Sequence, residues 1–319
     1  MPESPRFYFK ELRLQQFRGL VALARWQTFS AAATALGLTR ASVWQQIRAL
    51  EQELTSTLVR TRGHRVELTD AGHKLVEMVA PLVAGFDSVK TSFQSIQEAL
   101  PQTLMIATAP TFIVYELHDA VSRVNALFPK LHLIFLERNS PVAIEVLEQG
   151  GADIAVVAKP DHVPMSRTLE YSRLTSYPFT LICPPAHPLL KKTRLLLSDF
   201  TRYPLILPAS AAYCRQQVEA VLGRAGLTDK LRVVLESNFP ILYFDYVRMG
   251  MGVALSPLPP QSRLVGRLNQ PGVVLRSAEH LFGSEPIYYV RRKGQFDTPY
   301  AKKFLEVIAS QHAGALQSV

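Results

Sequence analysis

Apolar positions along the first hundred residues fall at helical spacing. Leu14 to Trp26 places Phe17, Leu20, Val21 and Ala24 on one face, which predicts an amphipathic helix. A short Ala-rich run, Ala31 to Leu36, predicts a second helix, with Ser30 as its expected N-cap and Gly37 as its stop. Thr39 is placed to cap a third, running to about Leu54, whose Val43, Ile47, Leu50 and Leu54 form an apolar stripe. Two helices joined by so short a glycine turn make a helix-turn-helix. LVRTRGHRVELT then predicts two short strands around Gly63, a wing. Beyond it Leu75, Val79, Leu82, Phe86, Val89, Phe93, Ile96 and Leu100 repeat at 4,3-spacing, an a/d seam that predicts pairing with a second copy. Pro81 lies inside that run and is expected to kink the helix or mark its first turn.

From Thr103 the period changes. Strands are expected at 104–108, 131–137, 153–158, 179–183, 205–207, 231–235, 253–255 and 287–290. Helices at about 112–127, 141–149, 211–225, 240–250 and 298–311 alternate with them, which predicts an α/β sheet of parallel order.

Charge adds direction to this pattern. The net charge is +9, yet residues 1–66 carry ten Lys/Arg against four acids. A compact basic module points to a polyanion. On the third helix Ala41, Gln45 and Arg48 project away from the apolar stripe, with Arg40 and Trp44 at its flanks. Glutamine pairs with adenine, and arginine with guanine or phosphate, so this face suits the major groove of duplex DNA. Thr39 and Ser42 complete the candidate DNA-contacting set on the helix, and Arg62, His64 and Arg65 supply it at the wing tip. His64 has no partner ligand nearby in sequence, so no metal is expected.

Cys183 and Cys214 are the two cysteines, in neither a CxxC nor a Cys/His ligand spacing, and read as reduced thiols. No long apolar run and no basic-then-apolar start appear, so neither a membrane span nor a signal peptide is expected, and the cytoplasm is. Ser210, His187 and Asp153 form a triad only on paper. GxSxG, HExxH and P-loop signatures are lacking, which disfavours an enzyme. A DNA-bending protein without a ligand would not need two hundred residues of α/β sheet.

FSAAATALGLTRASVWQQIRALEQEL, the wing and the closing LTDAG resemble LysR-type transcriptional regulators, closely over residues 12–72 and in outline beyond. Ala41 stands where that family usually has proline, and Trp44 where it usually has serine. Arg60-Thr61 reverses the usual order of an acid before arginine. Trp44 would either touch a thymine methyl or pack on the neighbouring helix or wing, the latter being favoured. The resemblance implies a fold of an N-terminal winged helix-turn-helix (1–70), a dimerising linker helix (71–101) and a two-lobed periplasmic-binding-protein-like effector domain (102–319). Lobe I would take 102–173 and 273–312, and lobe II 174–272. It implies binding to double-stranded DNA at a dyad-symmetric site by a dimer or tetramer, with RNA polymerase as a further candidate partner. No cofactor is implied. A small-molecule effector is, bound between the lobes. Strand ends and helix starts favour an anion there. Thr108, Ala109, Pro110 and Thr111 are the first candidates, with Asn139, Lys159, Ser210, Ala211 and Asn238; Arg138 is a weaker one.

Overall fold

The computed structural model describes residues 12–63, 65–96, 102–259 and 272–312. Contacts divide the chain into two compact units, one of 1–97 with 166–170 and 292–297, the other holding the rest.

The first unit is built on α1 (Leu14–Trp26), α2 (Phe29–Leu36) and α3 (Arg40–Glu53). Leu20, Leu23, Phe29, Ala32, Val43, Ile47 and Leu50 bury together as its core. The cap of α2 is Thr28, whose hydroxyl accepts from the Ala31 N–H at 3.1 Å, so Ser30 lies inside the first turn rather than capping it. Gly37 stops α2 at φ 65°. Thr39 caps α3, accepting from the Ser42 N–H at 3.1 Å. The expected buried stripe ends one turn early: Leu54 is 37% exposed, and Glu51 is buried instead.

Strands β1 (Val59–Arg62) and β2 (Arg65–Leu68) pair antiparallel, Arg62 opposite Arg65, with Gly63 at φ 60° in the turn. Thr69 then caps α4 (Asp70–Ile96) through the Gly72 N–H at 3.0 Å. Gly72 is required there, because a Cβ would overlap the Leu58 carbonyl. The helix runs on through Pro81 without ending. Its inward face is Val76, Val79, Ala80 and Val83, buried against α1 and its neighbours, with Leu75 half-buried beside them. The predicted seam is therefore shared between two faces. Leu75 and Val79 serve the unit's own core, whereas Leu82, Phe86, Val89 and Phe93 are 62, 59, 48 and 58% exposed. The side chain of Ile96, and Leu100 altogether, lie outside the described residues.

The second unit is an α/β sheet. Among the described residues its strands are β3 (Thr103–Thr108), β4 (His132–Glu137), β5 (Ile154–Ala158), β6 (Leu169–Cys183), β7 (Pro204–Leu207), β8 (Arg232–Glu236), β9 (Val253–Pro257), β10 (Val274–Ser277) and β11 (Ser284–Arg292). They run in the order β4-β3-β5-β11-β6-β9-β7-β8, with β10 on β6. Helices α5 (Pro110–Tyr115), α6 (His118–Leu127), α7 (Ser140–Glu148), α8 (Pro188–Lys191), α9 (Tyr213–Arg224), α10 (Ile241–Arg248), α11 (Glu279–Phe282) and α12 (Pro299–His312) pack around it.

Parallel order holds within each half: β3 with β4 and β5, β7 with β8 and β9. The middle departs from expectation. Strand β11 runs antiparallel to β5, and β6 antiparallel to β9 and β10. Strand β6 is 15 residues long where five were expected, and serves both halves. The helix expected at 112–127 is two helices, broken at Glu116–Leu117. Apolar clusters fill the halves, one around Ile106, Val156 and Phe304, others around Phe179, Leu207 and Phe282 and around Ile182, Tyr243 and Phe244.

Candidate functional site

Two surfaces hold the candidate residues. The first is the outer side of α3. With Val43, Ile47 and Leu50 fully buried, helical geometry turns Arg40, Ala41, Trp44, Gln45 and Arg48 outward, and all five are exposed. Thr39 is exposed, and half-buried Ser42 lies 2.7 Å from it, hydroxyl to hydroxyl. Trp44 was expected to pack on a neighbouring helix or the wing. It is 47% exposed, and the Arg48 guanidinium lies over its ring at 5.3 Å. Arg48 also holds Glu51 at 2.8 Å. The other Glu51 oxygen accepts from the backbone N–H groups of Leu58 (2.8 Å) and Val59 (3.1 Å). One buried carboxylate thus fixes the start of the wing against α3 and steers an exposed arginine. Sequence patterning gave Glu51 no role, since an acid beside an apolar stripe reads as solvated. On the wing Arg62 and Arg65 are exposed, and Arg62 reaches Glu67 at 3.5 Å. Arg60 is exposed beside them. His64 lies outside the described residues.

The second surface is a cavity in the α/β unit, with an empty volume of about 620 Å³, its open mouth included. Ala109, Pro110 and Thr111 line it where β3 turns into α5, Asn139 where β4 meets α7, and Asn238 after β8. These five were expected. Thr108, Lys159, Ser210 and Ala211, also expected there, are not among the described lining residues. The Thr108 hydroxyl donates to the Val156 carbonyl at 2.8 Å, a bond internal to the sheet. The Lys159 ammonium donates to the carbonyls of Val163 and Pro160, and burial holds its pKa below the ordinary lysine value against the pull of Asp161. Ser210 and Ala211 precede α9, whose first residues, Tyr213 and Cys214, face the cavity in their place. Arg138 is also absent from the lining; its guanidinium donates to the Glu137 carbonyl.

The remainder of the lining comes from distant strands. Tyr177 enters from β6, Ser256 from β9 and Glu285 from β11. The Tyr177 hydroxyl donates to Glu116, whose other oxygen pairs with His312 at 2.8 Å, all of them buried. Among the described residues neither Lys nor Arg lines the cavity. Buried Arg215, one residue beyond Cys214, is spent on Glu219 and Glu236, each at 2.8 Å, and on the Pro208 carbonyl. Burial raises the Glu285 carboxyl from the usual 4.5 to about 8, and burial with Glu285 beside it pushes the Cys214 thiol well up. Both groups are therefore protonated at neutral pH, and Cys214 is a poor nucleophile.

Residues 97–313 match the LysR substrate binding domain, and residues 14–73 match the bacterial regulatory helix-turn-helix protein, lysR family. The chain belongs to the LysR family. It is a LysR-type transcriptional regulator with a helix-turn-helix DNA-binding domain and a small-molecule-binding domain. Among LysR relatives, it is 29% identical over 245 residues to a probable hydrogen peroxide-inducible genes activator of Mycobacterium avium, covering 75% of this chain and 76% of that one. It is 26% identical over 310 residues to the HTH-type transcriptional regulator CysB of Burkholderia cenocepacia, covering 93% of each. The LysR fold recurs in full-length CbnR complexed with its target DNA, with TM-score 0.52, 17% identity, and 94% and 99% of the two chains covered. No described helix is long and apolar enough to cross a membrane.

Proposed function

We propose that the chain binds a dyad-symmetric duplex site as a dimer, assembling further to a tetramer, and that a small molecule in the α/β cavity alters that binding. The face of α3 carries this reading: five exposed side chains able to meet DNA, backed by three fully buried ones that fix their direction. Gln45 reads a base edge, Arg48 and Arg40 meet bases or phosphate, and Arg62 and Arg65 reach the backbone from the wing. The division into 1–70, 71–101 and 102–319, the last with lobes 102–173 plus 273–312 and 174–272, is part of the proposal.

The exposed Leu82, Phe86, Val89 and Phe93 on one side of α4 support a paired helix, since such a stripe gains most by leaving water. Two modules then present two recognition helices. Sedimentation tests this, and a monomer at micromolar concentration would refute it. The chain is read as a regulator and not an enzyme, working in the cytoplasm where its DNA is. Selection of bound genomic fragments with wild-type protein and with Gln45→Ala is the decisive experiment. An unchanged site preference in the variant would remove Gln45 as a base reader.

A further inference from the structure

The cavity holds a carboxyl that no described residue answers with a hydrogen bond. Glu285 opens β11, is 5% exposed and faces the cavity. Among the described residues no side chain or backbone N–H gives its carboxyl a hydrogen bond. A buried carboxyl left so is costly, and its persistence at the wall of a cavity marks a place kept for a donor. The surroundings say which donor. Among the described residues no lysine or arginine lines the cavity, so an anionic effector would meet no fixed positive charge there. The nearby guanidinium of Arg215 already has two carboxylates and a carbonyl. Phe112, Tyr177, Tyr213 and Tyr243 supply aromatic surface, which favours a cation and the apolar body carrying it.

We propose that the effector is a compact, largely apolar molecule bearing an amine, held as its ammonium by Glu285, whose carboxyl gives its proton to the amine or to solvent on binding. The anion expected from the helix starts is replaced by a cation. The inference rests on the cavity being the effector site, and the test separates the two ideas.

Benzylamine, benzyl alcohol and benzoate share one ring and differ in charge. They would be titrated calorimetrically into the full-length protein, into Glu285→Gln, and into Ala212→Phe, which narrows the cavity while keeping the Glu285 carboxyl in the chain. Benzylamine should bind at least about tenfold tighter than benzoate, and Glu285→Gln should weaken benzylamine by at least about tenfold while leaving benzyl alcohol nearly unchanged. Ala212→Phe should weaken both. Glutamine copies the shape of the protonated acid, so this variant keeps the fold. Benzoate bound more tightly than benzylamine, and blocked by Ala212→Phe, would leave the cavity as the effector site and overturn the amine. Benzylamine binding indifferent to Glu285→Gln would also overturn it. No binding of any probe that responds to Ala212→Phe, up to about 10 mM, would take down the cavity reading and the amine with it.

Discussion

The two working surfaces of this protein are made in opposite ways. The α3 face is drawn from ten consecutive residues, Thr39 to Arg48, and one helical period decides which of them point outward. The cavity is drawn from eight separate segments between Ala109 and Glu285, brought together by a mixed sheet. The first surface is charged, exposed and open to a polymer. The second is concave, mostly apolar, and holds its acid protonated. A face made by one helix tolerates changes of side chain without moving. A cavity made by many strands ties ligand chemistry to the stability of the sheet.

The sharpest test of that difference is pH. Glu285 is raised in the folded protein to about 8 from 4.5, so the unfolded chain ionises first as pH climbs. Stability is lost between those values and levels off above the higher one. Glu285→Gln should therefore gain on wild type from pH 5 to pH 8 by on the order of 4 kcal/mol in urea unfolding. An equal difference at both pH values would show that the carboxyl is not desolvated. In the first unit the corresponding weak point is Glu51. Glu51→Ala leaves the Leu58 and Val59 N–H groups unpaired, costs about 3 kcal/mol, and lowers DNA affinity for all sequences alike. Loss confined to one base pair would instead make Glu51 part of the readout through Arg48.

Gln45→Ala should behave in the reverse manner, with little change in melting temperature and about 2 kcal/mol less discrimination at one base pair of each half-site. Selected binding sites for the two proteins would show it. The smallest effect is expected from Thr108→Val. Its hydroxyl serves the Val156 carbonyl, so the variant should lose about 1 kcal/mol of stability and keep its effector response. A lost response at unchanged stability would return Thr108 to the binding site.

The α3 cap, the recognition face and the wing were legible because they depend on neighbours within a turn or two, whereas the α2 cap fell on Thr28 and not on Ser30. Thr39, Gly37 and Gly63 act locally, and the stripe of Val43, Ile47 and Leu50 fixes the outward set without further information. The α4 seam was half legible. Its 4,3 period was plain, but the period cannot say that Leu75 and Val79 turn to their own core while Leu82, Phe86, Val89 and Phe93 stay exposed. The Trp44–Arg48 contact lies four residues along the same helix, a spacing the sequence contains.

For the cavity, the sequence by itself determined the β-to-α turns at Ala109–Thr111, Asn139 and Asn238, since strand ends followed by helix starts are local signals. Only the tertiary structure decided that Lys159 points elsewhere, that Arg215 is already neutralised, and that Glu285 closes the cavity from a strand over a hundred residues beyond the first lining segment. Sequence patterning assigns Glu285 no role. Its burial follows from β11 entering the middle of the sheet against β5, a pairing across more than a hundred residues that no local pattern encodes. Exposure on a helix is a matter of angle, and the sequence contains it; the charge a cavity will accept depends on which distant side chains meet there, and folding supplies that.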